Sequence, residues 1–139
     1  DLKPINRIAS GGELSRIMLA LKNVLAETDC VTTMVFDEVD TGVSGRAATK
    51  VAQKLSQVAR GRQVLCVTHL PQIAAMADTH FSVEKGERDG RTYTRVEQLD
   101  RPRRREELAR LSGGASTAIL LEGAEELLQK AEAWKQTQA

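Results

Sequence analysis

Between Glu13 and Ala26 the apolar residues Leu14, Ile17, Met18, Leu21 and Leu25 recur at helical spacing, while Arg16, Lys22 and Asn23 fall elsewhere on the wheel. This pattern predicts an amphipathic helix. Ser10-Gly11-Gly12 precedes it, a flexible backbone with one hydroxyl, so the free amides of the first turn can face an anion. Thr33-Met34-Val35-Phe36 is short, β-prone and apolar, which predicts a strand buried on both faces of a parallel sheet and ended by Asp37-Glu38. From Ser44 to Arg60, Ala47, Ala48, Val51, Ala52, Leu55, Val58 and Ala59 share one stripe, and Gly61 sits where a helix stops. A second buried strand is predicted over Val64 to Thr68. Strand, helix and strand in that order form a crossover unit, so Asp37 and Thr68-His69 should emerge together at the carboxyl edge of one sheet, where ligands usually sit.

Beyond that unit, Pro71 to Ala77 reads as a short helix opened by its proline. Phe81 to Glu84 and Thr92 to Leu99 read as two strands joined by a polar loop over Gly86 to Arg91, an antiparallel hairpin. From Glu106 the chain is predicted helical in two pieces broken at Gly113-Gly114, with Leu120, Ala124, Leu127, Ala131 and Trp134 as the stripe of the second. The expected fold is α/β, a mainly parallel sheet flanked by helices with an antiparallel hairpin at its edge.

Length and composition narrow this picture. The 139 residues suit one core, and 41% apolar content excludes a disordered tail or a fibre. With 20 basic and 19 acidic side chains the net charge is +1, so any contact with nucleic acid must be a local patch. No apolar run reaches the roughly 20 residues of a membrane span. The amino end, Asp1-Leu2-Lys3-Pro4, resembles neither a signal peptide nor a natural start, so a cytoplasmic protein and a fragment of a longer chain are expected. Cys30 and Cys66 lack metal-ligand spacing and read as core thiols. Four aromatics are too few for a base-stacking surface.

The candidate chemistry lies in four short segments taken in order: Ser10-Gly11-Gly12-Glu13 at a helix start, Asp37-Glu38 after a strand, Asp40 shortly beyond, and Thr68-His69 after the next strand. A buried strand often ends in an acid that only caps a loop; order and spacing are what distinguish this set. A rigid strand edge can hold one carboxylate on a metal and the next beside a reacting water.

Together these segments resemble the carboxyl-terminal half of an ABC-type ATPase head. Ser10-Gly11-Gly12-Glu13 is similar to the signature motif, Met34 to Glu38 to the Walker B strand, Val39 to Gly45 to the D-loop, and His69 to the switch histidine. ABC transporters usually carry a proline where Val39 stands, and the wording here is closer to the SMC-like heads of bacterial DNA-repair proteins. The resemblance covers nearly the whole chain, most strongly from Ile8 to Lys85. It implies that residues 1–139 form the carboxyl-terminal lobe of such a head, with 101–139 a helical segment, and that ATP and Mg²⁺ are the cofactors. In that reading Asp37 is the metal ligand, Glu38 the catalytic base, and His69 the sensor of the γ-phosphate. Ser10, Gly11, Gly12, Glu13 and Asp40 bind nucleotide, the signature acting on a second head across a homodimer. The implied partners are an amino-terminal Walker A lobe, that second head, and double-stranded DNA ends, with no membrane. The implied location is the bacterial cytoplasm, at the nucleoid. No Gly-x-x-x-x-Gly-Lys-Ser/Thr occurs in the chain, so the loop that grips the β- and γ-phosphates must come from elsewhere.

Other features are read more plainly. Leu111-Ser112-Gly113-Gly114 spells a signature more literally but follows His69, and reads as a helix break with a capping serine. Gly42-Val43-Ser44-Gly45-Arg46 falls short of a hydrolase elbow, because Arg46 replaces the last glycine. His80 is expected to be structural or exposed. Arg101, Arg103, Arg104 and Arg105, with Arg110 beyond, form a run that either contacts DNA or is a solvated helix face, partly neutralised by Glu106 and Glu107. The competing functional class is a non-catalytic head used for dimerisation or DNA tethering.

Overall fold

The computed structural model describes residues 3–5, 9–25, 28 and 30–138; Asp1, Leu2, Ile8 and the expected helix end at Ala26 lie outside them. The chain divides into two compact units, 1–76 and 77–139, where the sequence suggests one core.

In the first unit, α1 (Gly11–Val24) is followed by β1 (Thr33–Phe36), α2 (Gly45–Val58), β2 (Gln63–Cys66) and the short α3 (Pro71–Met76). The strands pair in parallel, Thr33 opposite Gln63 through Phe36 opposite Cys66, with α2 as their crossover. The core holds Leu19, Met34, Phe36, Val39, Ala48, Ala52, Leu55, Val58 and the whole Ile73–Met76 turn. α2 buries Ala48 and Ala52, small side chains that let the helix lie close on its neighbours, whereas Ala47 of the expected stripe is exposed, and its chain reverses at Gly61 in the left-handed region (φ +74°).

Burial on both strand faces is not observed. Met34 and Phe36 point into the core, but Val35 on the opposite face is 67% exposed, and Leu65 and Val67 beside it are exposed too. The pleat sends alternate side chains to opposite faces, and the described residues cover only one. The thiols depart from expectation as well: Cys30 is exposed and Cys66 half-buried. Burial, with the Asp40 and Asp37 charges, pushes the Cys66 thiol up to about 12, so it stays protonated and unreactive.

The second unit contains β3 (Phe81–Arg88), β4 (Arg91–Gln98), α4 (Arg101–Gly113) and α5 (Ala118–Thr137). Its antiparallel pair is a separate two-stranded sheet rather than the edge of the parallel one. β3 runs on to Arg88, past the predicted Glu84, and β4 starts at Arg91, one residue before the predicted Thr92, because the connection is the two-residue turn Asp89-Gly90 with φ of +53° and +71°. Such Asp-Gly turns match strand twist and need no longer loop. Gly86 leaves room for the Tyr93 ring packed directly over it. α4 begins at Arg101, earlier than expected, since Asp100 caps the amide of Arg103 (3.0 Å) and a proline occupies its first turn. It ends at Gly114 in the left-handed region (φ +78°), which confirms the break at Gly113-Gly114. Ser112 is no cap: its hydroxyl donates to the Leu108 carbonyl within α4 (2.8 Å), and Thr117 caps α5. Leu108, Ala109, Ala124, Leu128 and Ala131 close the α4–α5 contact.

The arginine run is largely spent inside this unit. Arg101 pairs with Glu125 and Glu132, Arg103 with Glu97, Arg110 with Glu107, and Arg104 donates to the Ala77 carbonyl. His80 is half-buried beside Arg104 and Glu107, and burial followed by the Arg104 charge holds its imidazole below its ordinary value. No helix among the described residues is long and apolar enough to cross a membrane.

Candidate functional site

Ser10 is the N-cap of α1. Its hydroxyl accepts from the Glu13 amide (3.3 Å), and the Glu13 carboxylate accepts from the Ser10 amide (2.7 Å), a reciprocal capping box. Those hydrogen bonds, from the Ser10 backbone first, hold the Glu13 carboxyl below its ordinary value. Glu13 thus has a structural partner, while the amides of Gly11 and Gly12 begin the helix. Ser10 and Gly11 lie at the surface and Gly12 is buried.

α1 starts directly against the turn that follows β1. A Cβ on Gly12 would lie 2.8 Å from the Thr41 side chain and 3.0 Å from the Glu38 carbonyl, and one on Gly11 would lie 2.3 Å from the Glu38 carboxylate. Gly12 lets the helix start approach the backbone of the turn, and Gly11 makes room for the Glu38 carboxylate. The same helix clamps the turn from the side: the Ser15 hydroxyl donates to the Asp37 carbonyl (2.7 Å), and the Arg16 guanidinium donates to the carbonyls of Val39 (3.3 Å) and Thr41 (2.6 Å). Helix start and strand end share one edge because α1 runs toward the amino end of β1, so its first turn meets the carboxyl end of that strand.

Asp37 and Glu38 are exposed at this edge. The Asp37 carboxylate accepts from the Glu38 amide (2.8 Å), and Glu38 adopts φ +57°. A side chain in the left-handed region costs roughly 1–2 kcal/mol, and such outliers cluster at functional sites. Here the conformation lets the turn reverse at once, with the Thr41 amide donating to the Glu38 carbonyl (3.1 Å). Among the described residues no three His, Cys, Asp or Glu side chains gather into an all-protein metal cage.

Asp40 is the buried member of the set, 4% exposed. One of its oxygens, Oδ2, accepts from the Thr68 hydroxyl (2.6 Å) and the His69 amide (2.9 Å), and it lies 3.0 Å from His69 Nδ1. Burial works to raise this carboxyl, and the Thr68 and His69 hydrogen bonds outweigh it, leaving it below its ordinary value. The Thr68 hydroxyl in turn accepts from the Leu70 amide (3.0 Å). His69 itself remains open, its side chain 73% exposed.

All eight candidate residues therefore belong to the first unit, and two groupings emerge: Ser10 to Glu13 with Asp37 and Glu38, and Asp40 with His69. Ser15 and Arg16 are not singled out by the sequence, which marks Thr68 beside His69 but gives it no role. That role was within reach, since a hydroxyl beside His69 at a strand end can meet a carboxylate on the neighbouring strand. Ser15 and Arg16 carried no signal beyond lying on the polar part of α1.

No protein-family profile matches the chain. Among curated proteins it is 50% identical over 137 residues to DNA repair protein RecN of Bacillus subtilis, covering 98% of this chain and 24% of that protein. It is 53% identical over 129 residues to RecN of Deinococcus radiodurans and 45% identical over 127 residues to RecN of Haemophilus influenzae, covering 92% and 91% of this chain. The matched stretch is the carboxyl-terminal part of those proteins, and the chain spans about a quarter of their length.

Proposed function

We propose, with the likeness to the carboxyl-terminal part of RecN as premise, that this chain is the carboxyl-terminal lobe of an SMC-like ATPase head whose ATP hydrolysis serves DNA repair. One observation carries the reading: a Ser-Gly-Gly helix start, two exposed carboxylates on a tight turn, and an exposed imidazole braced from behind share one strand edge. The exposed apolar face of β1–β2 supports it as well. Parallel sheets are ordinarily covered on both faces, and the polypeptide that carries the phosphate-gripping loop is the cover we propose.

Mg²⁺ fits this donor set, because it is usually held by one or two carboxylates with water and substrate phosphates rather than by a protein cage. Asp37 would hold it, and bound there it would offset the charge that builds on the phosphates. Glu38 would take a proton from the attacking water as its oxygen adds to the γ-phosphorus and the bond to the β-phosphate oxygen breaks, leaving ADP and inorganic phosphate. Ser10 and the Gly11 and Gly12 amides would meet the γ-phosphate of a nucleotide held mainly by a second head, the helix start favouring the anion. Glu13 supports that turn through the capping box. The bacterial cytoplasm is the proposed site of action.

The test is turnover and association measured together on this lobe combined with a RecN amino-terminal lobe. The chain alone should hydrolyse ATP negligibly. In the combined protein Glu38→Gln should lower turnover by about 10²- to 10⁴-fold while ATP-dependent association persists. Unchanged turnover in that variant, or substantial turnover by the 139 residues alone, sinks the proposal; association with no turnover in the unmodified protein would favour the tethering scaffold.

A further inference from the structure

The residue least explained by nucleotide chemistry is Asp40. It is buried, it comes from the turn after β1, and its Oδ2 accepts two hydrogen bonds and faces His69 Nδ1 at 3.0 Å, all from the segment after β2. A carboxylate so enclosed is poorly available to an outside ligand. Its contacts fix something else: the Thr68 hydroxyl and His69 amide hold the backbone at the histidine, and the carboxylate faces Nδ1 of the ring.

We propose that Asp40, assisted by Thr68, is a positioning residue that holds His69 in the tautomer with the proton on Nδ1 and Nε2 turned outward. The step rests on donor and acceptor inventory. A carboxylate accepts only, and a bare ring nitrogen 3.0 Å from it would set lone pair against lone pair, so the arrangement favours a proton on Nδ1. In the neutral ring the other nitrogen is then a bare lone pair. Free imidazole rotation would present either nitrogen, or a ring carbon, to the surface; the brace leaves one. Its consequence for the ATPase reading, on which this part depends, is specific. Neutral His69 meets a water or a protonated phosphate oxygen as an acceptor. It donates to a bare phosphate oxygen only after Nε2 gains a proton, with Asp40 behind it offsetting the charge. Asp40 therefore acts on the nucleotide through His69 rather than by touching it.

The brace can be read directly, because the chain has only two histidines, His69 and His80. Nitrogen NMR of the ¹⁵N-histidine-labelled chain, assigned with His80→Gln, should show a pyrrole-type Nδ1 and a pyridine-type Nε2 at His69. Asp40→Asn keeps an acceptor oxygen and should preserve that pattern; Asp40→Leu removes it and should shift His69 toward the opposite tautomer. Thr68→Val covers the case in which Asp40→Leu does not fold, and should leave the tautomer in place with exchange broadening at His69. A protonated Nε2 in the unmodified chain, or a tautomer indifferent to all three substitutions, overturns the proposal whatever the ATPase assay gives. In the combined two-lobe protein Asp40→Leu should lower turnover on the order of 10- to 100-fold, the usual range for a residue that orients a functional histidine. The double variant with His69→Ala should be no worse than His69→Ala alone. Independent, additive losses would mean that Asp40 engages the nucleotide itself. If the unmodified protein shows no turnover at all, the ATPase reading fails while the tautomer measurement still decides the brace.

Discussion

Gly11 and Gly12 stand side by side yet answer to different constraints. A methyl on Gly12 meets the Thr41 side chain and two backbone carbonyls at 2.8–3.1 Å, which cannot yield without moving the turn. A methyl on Gly11 meets only the end of the Glu38 side chain, which can swing away. Gly12→Ala is therefore expected to cost about 1–3 kcal/mol, the usual range for overpacking, read as a shift in the denaturant midpoint. Gly11→Ala should leave that midpoint nearly unmoved yet lower turnover of the two-lobe protein about tenfold or more, since a carboxylate displaced by an ångström is a poor base. Equal effects on both measurements in the two variants would contradict the contacts described. The short motif Ser-Gly-Gly-Glu was visible in the sequence; that Gly11 makes room for a carboxylate from another element was not, because sequence spacing says nothing about which side chain fills a gap.

At the level of elements, the helical and strand periods locate all nine segments seen among the described residues, and the misplacements have local causes. α4 starts before the predicted Glu106 because Asp100 before Arg101-Pro102 is itself an N-terminal signal. The polar stretch from Gly86 to Arg91 predicts a longer loop than the Asp89-Gly90 turn that joins the strands. Replacing the cap, Asp100→Ala, should destabilise the second unit by about 1 kcal/mol. Trp134, the one tryptophan, lies in that unit and its fluorescence reports the transition. No change in its midpoint would mean that the Asp100 side chain contributes nothing to starting α4. The arginine run shows why charge alone is a weak guide to nucleic acid: most of its members have carboxylate or carbonyl partners within the unit, and a phosphate would have to compete with them.

For the whole molecule, the consequential feature is the uncovered sheet face. Val35, Leu65 and Val67 form a contiguous exposed apolar strip on the described chain. Covering a valine is worth roughly 1.5–3 kcal/mol, so Val35→Thr with Val67→Thr should weaken binding of a separately expressed amino-terminal lobe by about tenfold or more, as followed by titration calorimetry. The chain alone should bind a hydrophobic dye through this face, and the double variant should bind less. Retained affinity would show that the missing lobe packs elsewhere.

The sequence by itself determined the order of elements, the ends of most helices, and the types of residue present at a strand edge, because periodicity, capping residues and glycines act over a few positions along the chain. Which carboxylate faces which histidine, which glycine admits which side chain, and which sheet face stands open were decided only by tertiary structure. Those are relations between segments tens of residues apart, and nothing local along the chain encodes the distance between them.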